Sequence, residues 1–282
     1  MDKGILYINN GEGFVEEAKI SAKSVKEHNE ELKVAIISDQ EQVPEVFDKH
    51  IHVEDPNPEV ISKVRHLEKT PFEETLFLDS DIYVDAEIDE LFDILENFDI
   101  AVSHASRRTE LRDSASEAFP LFNTGVIAYR KNEMTVDFLQ DWKENYMSEA
   151  VGNSEQFETE EGLKKIPVPD QPSFRETIYN SEVRIAPLTM RYNCRHGFLG
   201  YVDGKVKMFH GRLTDVDSSG RRKDYNIEKV VKKINSTEKK RVFFKKRGKL
   251  TIETDQPWLP KRVQNFLEQN GIKGSIIRIL GR

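Results

Sequence analysis

Cysteine is almost absent. A single Cys194 among 282 residues excludes an intramolecular disulfide framework and any cysteine-based zinc site, so folding must rest on packing in a reducing compartment. No apolar run approaches the ~18 residues of a membrane-spanning helix, and the opening segment MDKGILYINN lacks the architecture of a signal peptide. No internal repeat is visible. These absences lead to the expectation of a non-secreted, cytoplasmic protein, at most peripheral at the inner membrane face. With 37% hydrophobic and 33% charged residues, the chain is neither a membrane protein nor a low-complexity polymer. Its length suffices for one large α/β domain or two small ones.

What is present is unevenly distributed. The net charge of -8 hides an acidic body and a basic tail: residues 221–282 hold 18 Lys and Arg against 6 Asp and Glu, whereas residues 1–220 hold 24 against 44. Such a tail can serve nucleic acid, anionic lipid or solubility.

The body reads as alternating strands and helices. GILYI (4–8) is a short apolar, β-branched run that stops at the turn residues Asn9, Asn10 and Gly11. Val15, Ala18, Ala22 and Val25 then recur at helical spacing over 14–28. Further strands are expected at 34–38, 50–53, 75–78, 100–103, 122–130, 183–186 and 206–209, with helices at 59–69, 88–97, 134–147 and 171–179. Alternation of this kind implies a parallel sheet covered by helices on both faces. Residues 105–116 have no apolar periodicity and read as a mobile loop. After the body, 241–254 resembles a hairpin turning at Arg247 and Gly248, and 260–280 one or two short amphipathic helices.

Chemistry enters at Asp79-Ser80-Asp81. Two carboxylates at the carboxyl end of a strand, where open α/β sheets place their ligands, form a hard oxygen site suited to Mg²⁺ or Mn²⁺. A second Asp-x-Asp, Asp215-Val216-Asp217, follows a polar segment and reads as a solvated loop. Upstream of the first pair a helix carries Lys63; downstream lie Phe122-Asn123-Thr124-Gly125-Val126, the pair Asp170-Gln171, and His210 after the apolar VKMF.

In this order, the set resembles the GT-A glycosyltransferases, specifically glycosyltransferase family 8, the group of glycogenin and the lipopolysaccharide galactosyltransferases, over residues 4 to about 212. The resemblance implies a Rossmann-like GT-A fold with a mixed, mainly parallel sheet, as a domain over 1–213 followed by a basic extension over 214–282. It implies transfer of a hexose from a nucleoside diphosphate sugar, with UDP as the expected nucleotide, to a hydroxyl of a glycan, lipid-linked or small-molecule acceptor, with retention of configuration. Asp79, Asp81 and His210 would hold the metal, the histidine favouring Mn²⁺ over Mg²⁺. Lys63 would supply a point charge to the phosphates or the donor sugar. Asn123, Asp170 and Gln171 would lie by the reacting sugar, and Gly125 would permit close backbone approach. At the nucleotide, Asn9, Asn10 and Asp39 would reach base or ribose, Phe14 would stack on the base, and Ser80 and Gly211 would join the donor-binding residues. The chain departs from the family after His210, where Gly211-Arg212-Leu213 stands in place of a Lys-Pro-Trp run; Arg212 would replace the lysine.

Two other functions fit parts of the pattern. A sugar-nucleotide or glycan-binding module without catalysis would keep the fold, and Asp-Ser-Asp-Ile-Tyr-Val loosely matches the nucleophile motif of haloacid dehalogenase-type phosphatases, although that motif ordinarily ends a first strand. Residues 105–116, with Arg107, Arg108 and Arg112, are expected to form a lid over the donor. The tail intersperses its basic residues with Val242, Phe243, Phe244, Trp258, Phe266 and Leu267, and it includes the run Ile276-Ile277-Arg278-Ile279-Leu280. Basic residues near apolar anchors favour an anionic membrane surface, and no nucleic-acid motif accompanies them.

Overall fold

A computed structural model describes residues 2–55, 59–105, 115–150, 155–159, 162–166, 168–195, 200–211, 215–216, 222–223, 227–236, 239–245 and 249–254. Most of the expected lid, including Arg107, Arg108 and Arg112, lies outside these residues, as do Arg212, Trp258 and everything after 254.

The chain opens with strand β1 (Lys3–Ile8) and helix α1 (Glu12–His28). Gly11 joins them with a φ of 79°, a left-handed conformation that glycine adopts without steric cost. Next come β2 (Lys33–Ser38), β3 (Lys49–His52), helix α2 (Glu59–His66) with a 3₁₀ turn to Lys69, and β4 (Glu74–Leu78). A short β5 (Ile82–Val84) precedes α3 (Glu90–Asp93), β6 (Ile100–His104), β7 (Phe122–Arg130) and the long α4 (Glu133–Ala150). The hairpin β8 (Glu155–Thr159) and β9 (Gly162–Ile166) leads to α5 (Gln171–Tyr179) and β10 (Ile185–Leu188). The remainder comprises β11 (Cys194–Arg195), β12 (Gly200–Asp203), β13 (Met208–His210), β14 (Asp215–Val216), β15 (Arg222–Lys223), α6 (Ile227–Ile234), β16 (Lys239–Lys245) and β17 (Lys249–Thr254).

Seven strands form the central sheet in the order β10-β6-β7-β4-β1-β2-β3. All neighbours are parallel except that β7 runs antiparallel to both β4 and β6. Strict alternation of strands and helices predicts a wholly parallel sheet. The reversal at β7 has a sequence cause: a parallel pair needs a crossover, usually helical, and the segment between β6 and β7 carries no helical periodicity. The result is the mixed, mainly parallel sheet implied by the resemblance.

Because successive strand residues face opposite sides, the sheet divides its apolar residues between two cores. Ile5, Tyr7, Leu76 and Leu78 pack with Ala18, Ala22 and Val25 of α1, whereas Leu6, Ile8, Phe77 and Ile127 pack with α4 and α5. In the second core Trp142 lies edge-on to Phe174 at 4.9 Å, Phe138 does the same at 5.4 Å, and the Trp142 indole N–H donates to Ser173 Oγ at 3.1 Å. This contact pins the first turn of α5, and with it the Asp170-Gln171 pair, to α4.

Several elements escape sequence reading. The helix expected over 88–97 shortens to α3 and a 3₁₀ turn, and the last two body strands lie two residues later than expected. β5, the β8–β9 hairpin, β11 and β12 are too short to show a clear period, whereas α6 was passed over although Ile227, Val230, Val231 and Ile234 recur at helical spacing. α6 buries Val231 and Ile234 in a third cluster with Tyr83, Cys194, Val202, Val206 and Phe209, and β16 pairs antiparallel with β12, so chain beyond 213 packs against the body. β16 and β17 form the hairpin expected at 241–254, its turn at 246–248 falling outside the described residues. Among the described residues no helix is long and apolar enough to cross a membrane.

At the β10 edge, Asp99 binds Arg184 through two side-chain hydrogen bonds of 3.0 Å and one to the Arg184 backbone N–H at 2.9 Å. The guanidinium holds the Asp99 carboxyl below the ordinary carboxylate range. A depressed folded-state pKa stabilises the fold above the unfolded value and loses that contribution as pH falls through the folded one. Denaturation midpoints measured from about pH 5 to pH 2 should therefore fall less steeply in Asp99→Asn than in the wild type.

Candidate active site

Asp79 closes β4 and is fixed by its own backbone, whose N–H donates to the Gly125 carbonyl of antiparallel β7 at 2.9 Å. The chain then turns so that the Ile82 N–H reaches the Asp79 carbonyl at 3.2 Å. β5 follows and pairs with β13, setting Ile82 opposite His210, and the Gly211 N–H donates to the Asp81 carbonyl at 2.9 Å. Two residues distant in sequence from the carboxylates are thereby locked beside them. His210 Nε2 lies 3.2 Å from Asp81 Oδ1 and 3.9 Å from Asp79 Oδ2, and donor atoms of all three residues fall within 4.8 Å of one another.

The tautomer of His210 bears on what these three can hold. Its Nδ1 lies 2.8 Å from Asn193 Oδ1. An amide oxygen only accepts, so Nδ1 carries the proton, and Nε2 is the ring nitrogen turned toward the two carboxylates. A histidine whose far nitrogen is bound to an oxygen acceptor is the usual form of a metal-ligating imidazole. The donor set therefore fits a divalent cation of the Mg²⁺ or Mn²⁺ kind. Asn193 in turn donates to Asn123 Oδ1 at 2.7 Å, which links the histidine to the residue expected at the sugar. Gly125 stands where these groups converge: a Cβ there would meet His210 Cε1 at 2.4 Å and Asp79 Oδ2 at 2.6 Å.

Beside this cluster lies a buried cation. Lys63, only 4% exposed, extends from α2 to pair with Asp170 at 2.7 Å and Asp79 at 3.6 Å. Its ammonium also donates to Thr124 Oγ1 at 3.2 Å, and the Thr124 hydroxyl donates to Asp170 Oδ2 at 2.7 Å. Asp170 occupies the N-cap position of α5, yet its side chain makes no cap; the carboxylate is committed to Lys63 and Thr124 instead. Gln171 opens the helix beside it. Burial pushes the Asp79 carboxyl up, Lys63 and His210 pull it down, and Asp81 and Asp170 add to the rise. Its side chain keeps 23% exposure, so the strain on it is that of a half-desolvated group crowded by two like charges.

A cleft of about 180 Å³ opens over the cluster, lined by Lys63, Asp79, Ser80, Asp81 and His210 together with Phe14, Glu17, Val60 and Arg195. Phe14 is 37% exposed on α1, unusual for its residue type and in keeping with a stacking surface. Asn9, Asn10 and Asp39 take a different position, in the framework of the first βα loop. Asn10 donates to Ser62 Oγ at 2.6 Å and to the Asp55 carbonyl and accepts from the Asp39 N–H at 3.2 Å, while Asp39 accepts from the Gly11 N–H at 2.8 Å. The Asn9 N–H donates to the Ile37 carbonyl at 3.0 Å.

Sequence reasoning passed over four residues in this neighbourhood: Thr124, Asn193, Glu17 and Arg195. Thr124 lies inside the quoted Phe-Asn-Thr-Gly-Val run, and Glu17 stands three residues after Phe14 on the same helix face, so both were within reach. Asn193 and Arg195 were not. They arrive through the two-residue β11, whose parallel pairing sets Arg195 beside His210.

No family model and no curated protein matches the sequence. Solved structures do. The galactosyltransferase LgtC in complex with donor and acceptor sugar analogs matches over 83% of this chain and 96% of its own, at 11% identity and a TM-score of 0.52. The fold is that of the GT-A glycosyltransferases. The glycosyltransferase GlyE of Streptococcus pneumoniae TIGR4 matches at 16% identity over 69% of this chain, with a TM-score of 0.49, and mouse xyloside xylosyltransferase 1 at 14% over 78%, with 0.48. The chain spans about half of the GlyE structure, 48%, and 99% of the xylosyltransferase structure. A GT-A sheet with three strands before the Asp79 strand sets aside the phosphatase reading, whose motif would end a first strand.

The crowding at Gly125 makes a direct test of the candidate metal site. Gly125→Ala should displace His210 or Asp79 and cost about 1–3 kcal/mol by overpacking, read from urea denaturation. The same substitution should weaken Mn²⁺ binding at least tenfold in a calorimetric titration, with the far-ultraviolet circular dichroism unchanged.

Proposed function

We propose that the protein is a metal-dependent glycosyltransferase that moves a hexose from a UDP-linked donor to a hydroxyl of a glycan, lipid-linked or small acceptor, with retention of configuration. What carries the reading is the convergence of Asp79, Asp81 and His210 on one side of Lys63 and Asp170 on the other, under an exposed Phe14. Asp79, Asp81 and His210 would hold a divalent cation, which when bound would supply positive charge against a departing diphosphate. Lys63 places a second, fixed positive charge at the same end of the cleft, in surroundings too dry for water to screen it.

Asp170 is poorly suited to act as a base or free nucleophile, since Lys63 and Thr124 already hold it. That arrangement suits a role in orienting the donor and stabilising a cation-like sugar, with Gln171 and Asn123 beside it. Retention then needs no separate carboxylate base, because the departing phosphate accepts the acceptor's proton on the face it leaves. A binding module without catalysis would have no use for a buried Lys63–Asp170 pair at this place.

Two outcomes follow. UDP should raise the melting temperature only when Mn²⁺ is present, by about 2.7 kcal/mol of added stability at a hundred times Kd, and Asp81→Ala should abolish that coupling. Equal stabilisation by UDP with and without metal, in both proteins, would remove the proposed donor site. In assays of UDP-sugar hydrolysis with Mn²⁺, Asp170→Asn should lower kcat roughly 10²-fold with UDP affinity little changed, and chelation should abolish turnover.

A further inference from the structure

The cleft that this reading gives to a diphosphate contains a buried negative charge that the reading does not use. Glu17 on α1 is 4% exposed, lines the cleft and accepts a hydrogen bond from Ser80 Oγ at 3.2 Å. A carboxylate beside a diphosphate is unfavourable in a site of reduced dielectric, so its contacts with the ligand must be made to hydrogen-bond donors. An ionised carboxylate accepts through two oxygens with about four lone-pair sites, and a vicinal diol calls on two of them.

The position of Glu17 decides which donors these are. It stands three residues after Phe14, one turn along the same face of α1, and its partner Ser80 sits between the two carboxylates of the metal group. In a nucleoside diphosphate whose base lies on Phe14 and whose phosphates lie at Asp79 and Asp81, the part between is the ribose, and the donors it offers are its 2′- and 3′-hydroxyls. The transferred sugar lies elsewhere, at Asp170, which joins the site through Lys63 and α5. We infer that Glu17, steadied by Ser80, is a specificity-determining residue that recognises the ribose diol and makes the cleft select ribonucleotides over deoxyribonucleotides. The inference rests on the donor reading above and adds to it the residue and the chemical group that set nucleotide choice.

Hydrogen bonds to a charged partner are stronger than neutral ones, and leaving such a buried group unmatched is costly. Calorimetric titration with Mn²⁺ present should show UDP binding about tenfold or more tightly than 2′-deoxy-UDP or 3′-deoxy-UDP to the wild-type chain. In Glu17→Ala the affinity for UDP should fall about tenfold, that for at least one deoxy analogue should change less than about threefold, and the ratio should close to within about twofold. Glu17→Gln, which keeps the shape and one acceptor oxygen, should give an intermediate ratio with the wild-type melting temperature, so a loss of folding in the alanine variant does not decide the matter. Equal binding of UDP and both deoxy analogues by the wild type, with metal-dependent UDP binding intact, would overturn the role of Glu17 and leave the donor reading standing. A parallel fall for all three nucleotides in both variants would reduce Glu17 to a support for Ser80 and overturn it as well. Absence of any metal-dependent UDP binding by the wild type would overturn the donor reading, and the inference with it.

Discussion

The site depends on a charge balance. Four acidic groups, Glu17, Asp79, Asp81 and Asp170, are gathered around one cleft, and the buried Lys63 faces two of them, Asp79 and Asp170. Burial of like charges is expensive, and removing one member of a buried ion pair costs about 3–5 kcal/mol because the remaining charge is left without compensation. Lys63 meets that requirement on the Asp170 side by pairing with Asp170 and Asp79 and donating to Thr124. On the opposite side lie Asp81, the His210 ring and Arg195. One half of the cluster is thus tied together by Lys63, and the other presents the three donors that could hold a cation.

Backbone geometry makes this concentration of charge possible. β7 enters the sheet in reverse between β4 and β6, so that the Gly125 carbonyl accepts from the Asp79 N–H while Asn123 and Thr124 are delivered to the same sheet end. Glycine at that point lets the His210 ring and the Asp79 carboxylate approach closer than any Cβ would permit. The small second sheet then carries His210 back from the far end of the chain by pairing β13 with β5. Three segments drawn from between residues 74 and 210 of the chain thus meet through main-chain hydrogen bonds, which hold side chains more firmly than side-chain contacts alone could.

Polar relays extend the order outward. Asn193 sets the tautomer of His210 and joins it to Asn123; Thr124 joins Lys63 to Asp170; Ser80 joins the carboxylate loop to Glu17 on α1. Each relay connects a group on one element to a group on another, so the metal ligands, the expected sugar residues and the first helix form one hydrogen-bonded body. Partly satisfied networks are costly in a low-dielectric setting, and this one is anchored at every element it crosses.

Much of this was written in local sequence. The strands and helices of the first half, from the β1 apolar run to the α4 periodicity, follow from patterns that need no neighbour to be seen, and Asp79-Ser80-Asp81 announced itself because it ends an apolar strand. The ordered set from Lys63 to His210 even implied the mixed sheet. The sequence by itself determined which residues could do the chemistry and the elements that carry them. Tertiary structure alone decided that Asp170 spends its carboxylate on Lys63 rather than on capping its helix, that Asn10 and Asp39 brace a loop, that Asn193 reaches His210 and that Arg195 reaches the cleft. The reason is physical: strands of two or three residues such as β11 and β5 have too few positions to show a period, and a hydrogen bond between residues sixty or seventy apart leaves no trace in the spacing of either.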